Sequence, residues 1–159
     1  MEEETKNLEG LGGWLILVGI GVLLGSFKQF SELVSTYNDI FTDGAWEMVT
    51  TPGNEGYHPL WSWVIMGEII TNSILFILLL FAILLFFTKN RFFPKLWIGI
   101  IIFGTLFILF DALLVKLVLP NEPIFDPDTT KGLARSVVGC LIWVPYMFVS
   151  KRVKATFTR

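Results

Sequence analysis

A chain of 159 residues with 53% hydrophobic content and only 16% charged residues departs from ordinary soluble domains, which carry about 25% charge. Its mean hydropathy of +0.66 points the same way, and a net charge of −2 excludes the basic footprint of a nucleic-acid binder. A single cysteine, Cys140, excludes an intrachain disulfide, and with a single histidine, His58, no His/Cys set exists for a zinc site.

The ionisable residues are unevenly spread, and the gaps between them define the elements. Residues 1–10, MEEETKNLEG, read as an acidic tail. Residues 11–26 contain no ionisable group, and with their flank predict a first span over about 11–30. The acidic lead and the lack of a small-residue cleavage site make this a retained helix rather than a signal peptide. Its Gly21 and Gly25, four apart, suit close packing inside a bundle or a contact between two copies. Phe30, Leu33, Val34, Tyr37, Ile40 and Phe41 then recur at helical spacing. They predict an amphipathic helix on the outer interface, or a bent extension of the first span. Asp43-Gly44 ends it, and a short apolar turn of Ala45, Trp46, Met48 and Val49 follows. TTPGNEG then breaks any helix before YHPLW re-enters the membrane. This connector either caps the bundle or offers a docking surface to an outer partner.

Residues 69–87 and 96–110 are equally free of charge, and predict spans over about 60–88 and 95–119. A fourth apolar run at 136–149 borrows its N-terminal flank to span about 132–150, with small residues Gly132, Ser136 and Cys140 four apart. Only helices satisfy their own backbone in lipid without a closed barrel, and no period-two alternation is present. The fold class is therefore an all-α membrane protein. One domain, 11–150, forms a four-transmembrane-helix bundle with an amphipathic outer segment between helices one and two, and a basic tail, 151–159, follows.

An even number of spans puts both termini on one face. That face carries Lys6, Lys89, Arg91, Lys95, Lys151, Arg152, Lys154 and Arg159, eight of the 12 basic residues. The positive-inside rule then places both termini in the cytoplasm. Trp61 and Trp63 start helix two at an outer aromatic belt, and Trp97 opens helix three at the inner one.

Ionisable groups inside spans are costly and mark partners or pathways. Asp111 lies 16 residues beyond Lys95 and Arg135 lies 15 before Ser150, about 24 and 22 Å from the terminal face. Glu68 and Lys116 both fall near 30 Å by the same count. The charges thus pair by level, Asp111 with Arg135 and Glu68 with Lys116. Two readings stay open. One is a register lock between helices; the other is a polar pocket open to the outside, with Asn72 one turn from Glu68 on the same helix face. No catalytic, cofactor or metal set is found: His58 lies in a Tyr-His-Pro re-entry and Cys140 on an apolar helix.

Several strings together resemble a bacterial family of small four-span inner-membrane proteins known only as a domain of unknown function. They are LGGWLILVGIG at 11–21, GAWEMVTTPGNEGYHPLW at 44–61, Glu68 with Asn72, RFFPK at 91–95, Asp111, and LIWVPYMFVSKRVKATF at 141–157. The resemblance implies four helices in the bacterial cytoplasmic membrane and implies no activity. The expected role is that of a non-enzymatic accessory, assembly or interaction subunit. The alternative is a small oligomeric ion, proton or solute transporter or channel built on Glu68, Asp111 and Arg135. Expected partners are the bilayer, anionic headgroups at the cytoplasmic face, and a second protein or a second copy of the chain.

Overall fold

Helix formation starts where the double glycine ends. Gly13 adopts φ +57°, a conformation that favours glycine, and the N–H of Gly12 donates to the Gly10 carbonyl at 2.9 Å. In the computed structural model, which describes residues 9–158, helix α1 (Trp14–Phe41) follows this turn. It runs unbroken through the segment expected to be amphipathic, so that segment extends the first span rather than forming a helix of its own. A left-handed Gly44 turns the chain into α2 (Ala45–Thr50), which folds back and sets Trp46 against Phe41, ring centroids 5.4 Å apart.

Helix α3 (Trp61–Phe87) ends in a tight reversal written in the sequence TKN. Lys89 takes φ +55° while the Asn90 N–H reaches back to the Leu85 carbonyl at 2.9 Å, satisfying the last turn of the helix. The Asn90 side chain then accepts from the Phe92 N–H at 2.9 Å and opens α4 (Phe93–Val118), with Pro94 in its first turn. Helix α5 (Pro127–Val149) begins on Asp126, whose carboxylate accepts from the N–H groups of Asp128 and Thr129 at 2.8 and 2.9 Å. Ser150 ends α5 and caps the short α6 (Lys151–Thr156) by accepting from the Val153 N–H.

The four long helices have 28, 27, 26 and 23 residues, or about 42, 40, 39 and 35 Å, each longer than the ~30 Å hydrocarbon layer. Their outer surfaces are as apolar as their inner ones. Ile74, Ile77 and Leu84 of α3 and Phe103, Leu106 and Phe110 of α4 all face outward. A helix apolar all round yet exposed in the folded chain has lipid as its solvent. The protein is a multi-pass membrane protein with four spanning helices.

Helix α1 packs on α3, α3 on α4, and α4 on α5. The row closes at the end that carries the termini. There Trp14 meets Trp143 edge-on at 6.4 Å, and Thr156 exchanges hydrogen bonds with the backbone of Gly10 at 3.1 Å. Both ends of the described residues therefore lie on one face, called here the terminal face; the connectors 42–60 and 119–126 lie on the loop face. The terminal half is densely filled. Leu15, Val18 and Val22 of α1, Leu79, Ala82 and Phe86 of α3, and Phe93, Trp97 and Ile100 of α4 are buried together with Met147, Val153 and Phe157. Phe93 is fully enclosed, with the rings of Phe157 and Phe86 at 4.7 and 5.0 Å. Trp97 belongs to this core, stacked on Phe93 at 6.2 Å, and not to the interfacial belt expected for it.

Two small-residue contacts set the helix spacing. On α5, Ser136 and Cys140 face Thr105 of α4, with its hydroxyl 2.6 Å from Ser136 Oγ and 3.2 Å from Cys140 Sγ. On α1 the close approach is at Gly19, against the ring of Phe86, whereas Gly21 and Gly25 meet no neighbour.

Candidate functional site

In the loop-face half the helices part around a cavity of about 390 Å³. Four helices line it: α1 through Glu32, Leu33 and Thr36, α3 through Glu68, Ile69 and Asn72, α4 through Phe107, Ile108, Asp111 and Ala112, and α5 through Thr129. Glu68 and Asn72, one turn apart on α3, share this wall with Asp111 from the next helix. Gln29 of α1 bridges to the same place: its Nε2 donates to Asn72 Oδ1 at 3.0 Å, tying α1 to α3. Glu32 pairs with Lys28 one turn earlier on α1, the one salt bridge among the described residues.

The two ion pairs expected from helix levels are not formed. Arg135 is on the wrong face of α5 to meet Asp111. The inward face of α5 is fixed by Ser136 and Cys140 against Thr105, and Arg135, one residue before Ser136, is turned about 100° away and exposed. Its guanidinium is free to reach toward the interface, as long basic side chains do near helix ends. Lys116 is likewise used elsewhere. Its Nζ donates to the carbonyls of Pro120 and Glu122 at 2.6 and 2.7 Å, in the connector just beyond the end of α4. Counting residues along an axis gives height, not azimuth, and the azimuth decides which charges meet.

The result is a cavity lined by two carboxylates from adjacent helices, Glu68 and Asp111, with no cation within salt-bridge distance of either among the described residues. Asp111 also borders a smaller adjoining space of about 170 Å³, shared with Lys116, Glu122, Asp126 and Thr129. Asp126, outside the spans, is held below the ordinary aspartate range by hydrogen bonds from Thr129, first its backbone N–H and then its hydroxyl at 2.7 Å, with the Asp128 N–H adding to them. Like charges sharing a weakly solvated space repel, and a cationic group entering between them relieves that repulsion.

Sequence reasoning missed Gln29, Glu32, Thr36 and Thr129. The first three stand at i, i+3 and i+7 on α1, a polar stripe toward the bundle, while Phe30, Val34 and Tyr37 face outward. In lipid that polar stripe, rather than the apolar one, is the signal for the inward face. Among the described residues no group of three or more His, Cys, Asp or Glu side chains is placed to hold a metal ion.

Residues 8–158 match the model of a family described as "Protein of unknown function (DUF2569)", so the chain belongs to that family. No curated protein and no solved structure matches the chain.

Proposed function

We propose that this member of the family is a non-enzymatic, multi-pass subunit of a bacterial cytoplasmic membrane that works through a partner protein. Its loop-face cavity receives a basic group of that partner. One observation carries the reading: Glu68 and Asp111 line a single cavity without a cation from the described chain to neutralise them. The surrounding polar groups, Asn72, Thr36 and Thr129, are suited to fixing the orientation of a guanidinium or ammonium. The basic residues on the terminal face, under the positive-inside rule, support a cytoplasmic placement of that face with the cavity on the outer side.

A transporter or channel would use the same carboxylates but needs a route onward. The terminal half offers the packed side chains of Val18, Leu79, Phe86, Phe93 and Trp97 in its place. The two readings separate in one experiment. A photo-crosslinking residue at Thr36 or Thr129, in native membranes, is expected to capture a partner protein. That capture is lost in Glu68→Gln/Asp111→Asn and retained in Glu68→Asp. Proteoliposomes of the pure protein should pass no protons or cations. A flux abolished by Asp111→Asn, or capture indifferent to both carboxylates, overturns the proposal.

A further inference from the structure

On the opposite face, the start of α4 meets the end of α5 and the C-terminal segment in a groove of about 350 Å³. This is within the size range of ligand pockets, about 300–1,000 Å³. The groove has a charge gradient built into it. The exposed cations Arg91, Lys95 and Lys154 line it together with the apolar Ile98, Met147, Phe148, Val153 and Phe157, of which Met147, Val153 and Phe157 are buried. No acidic residue lines it, and none of the three cations is in a salt bridge among the described residues. The gradient follows from the chain itself: Arg91, Lys95 and Ile98 fall at i, i+4 and i+7 across the α4 start, so charge gives way to hydrocarbon as the helix descends. Phe148 is 62% exposed, so the apolar end opens to lipid. Lys154 is brought in by α6, which the Ser150 cap and the Gly10–Thr156 hydrogen bonds hold in place.

The geometry points to a binding site for one anionic glycerophospholipid of the bilayer. Its phosphate sits among Arg91, Lys95 and Lys154, and an acyl chain lies along Ile98, Met147 and Phe148. A headgroup carrying net negative charge is selected because three cations line the groove with no counter-ion among the described residues. A zwitterionic headgroup would bring its own cation into the same space. The site is independent of the partner reading given above and lies at the other end of the bundle.

Nanodiscs or detergent micelles containing equal phosphatidylglycerol and phosphatidylcholine test it, with retained lipid counted by native mass spectrometry. Each basic residue near a membrane surface contributes about fivefold in affinity for an anionic lipid. The wild type should therefore retain phosphatidylglycerol preferentially. The preference should fall about fivefold in Lys95→Gln and about 25-fold in Lys95→Gln/Lys154→Gln, and survive in Lys95→Arg. Lys151→Gln, in the same tail but outside the groove, should leave it unchanged, and Ile98→Trp, which fills the groove, should reduce both lipids alike. Thermal unfolding of each variant identifies any that has lost its fold, and the Lys95→Arg and Lys151→Gln results stand apart from those. Equal losses in Lys151→Gln and Lys95→Gln would mean diffuse surface attraction and overturn the proposal. So would a shift in oligomeric state with no change in lipid ratio, which would make the groove an interface between copies.

Discussion

Substituting Gly19 with alanine tests the packing of the closed half. A Cβ added there would stand 2.8 and 2.9 Å from Cε1 and Cζ of Phe86. Carbon atoms in good contact sit about 3.5–4.0 Å apart, so the ring would have to retreat by about 0.7 Å or more. It has little room to do so. Phe86 is 3% exposed, with the rings of Phe93, Phe87 and Phe157 at 5.0, 5.4 and 5.9 Å. Overpacking of this kind costs about 1–3 kcal/mol, while alanine in a helix recovers about 1 kcal/mol relative to glycine. With the ring held on three sides the strain falls in the upper part of that range, for a net loss of about 1–2 kcal/mol. Reversible unfolding in mixed micelles, followed by circular dichroism, measures it. Gly19→Ala should be destabilised by that amount, and Gly19→Ala/Phe86→Leu should recover most of the loss. Gly21→Ala and Gly25→Ala, which meet open space, carry no such strain and should be stabilised by up to about 1 kcal/mol. The reasoning is refuted if Gly19→Ala is as stable as the parent, or if Gly21→Ala is the more damaging change.

Arg135→Ala should shift stability by no more than about 0.5 kcal/mol, because the side chain is exposed and forms no ion pair among the described residues. The same unfolding assay would contradict this with a loss of several kcal/mol, the size expected when a buried pair is broken, about 3–5 kcal/mol. Asp126 gives a pH prediction. Its carboxyl titrates below the ordinary aspartate range in the folded protein, so its contribution is complete above the unfolded value and is lost as pH falls through the folded one. Asp126→Asn should therefore lower the melting temperature at pH 7 and flatten the acid side of the stability profile below about pH 4. An unchanged profile would show that the cap does not couple to protonation.

The spans were legible because bilayer thickness acts on composition alone: a run of about 20 residues without charge announces itself without any knowledge of neighbours. The hairpin between α3 and α4 is also local, with Asn90 and Pro94 starting a helix by chemistry visible within a few residues. The site was legible in part. Glu68, Asn72 and Asp111 stood out because polar groups in a span are rare, and all three line the cavity. Their partners were not legible, since the rotation of α5 is set by Thr105 meeting Ser136 and Cys140, a contact 31 to 35 residues distant in sequence. Lys116 differs for another reason: connector carbonyls just past the helix compete for a lysine, and a residue count does not represent them. Gly21 and Gly25 carried the familiar four-residue spacing, but spacing does not say which side of a helix meets protein and which meets lipid.

The cavity between Glu68 and Asp111 should be open toward the loop face and sealed from the terminal face by the aromatic core. Cysteine accessibility in sealed, oriented vesicles measures this directly, in a Cys140→Ser background with an epitope marking the terminal face. Asn72→Cys should react with a small membrane-impermeant thiosulfonate added on the loop face only, and Leu79→Cys, in the packed half, from neither. Modification of Asn72→Cys from the terminal face would contradict the closed architecture.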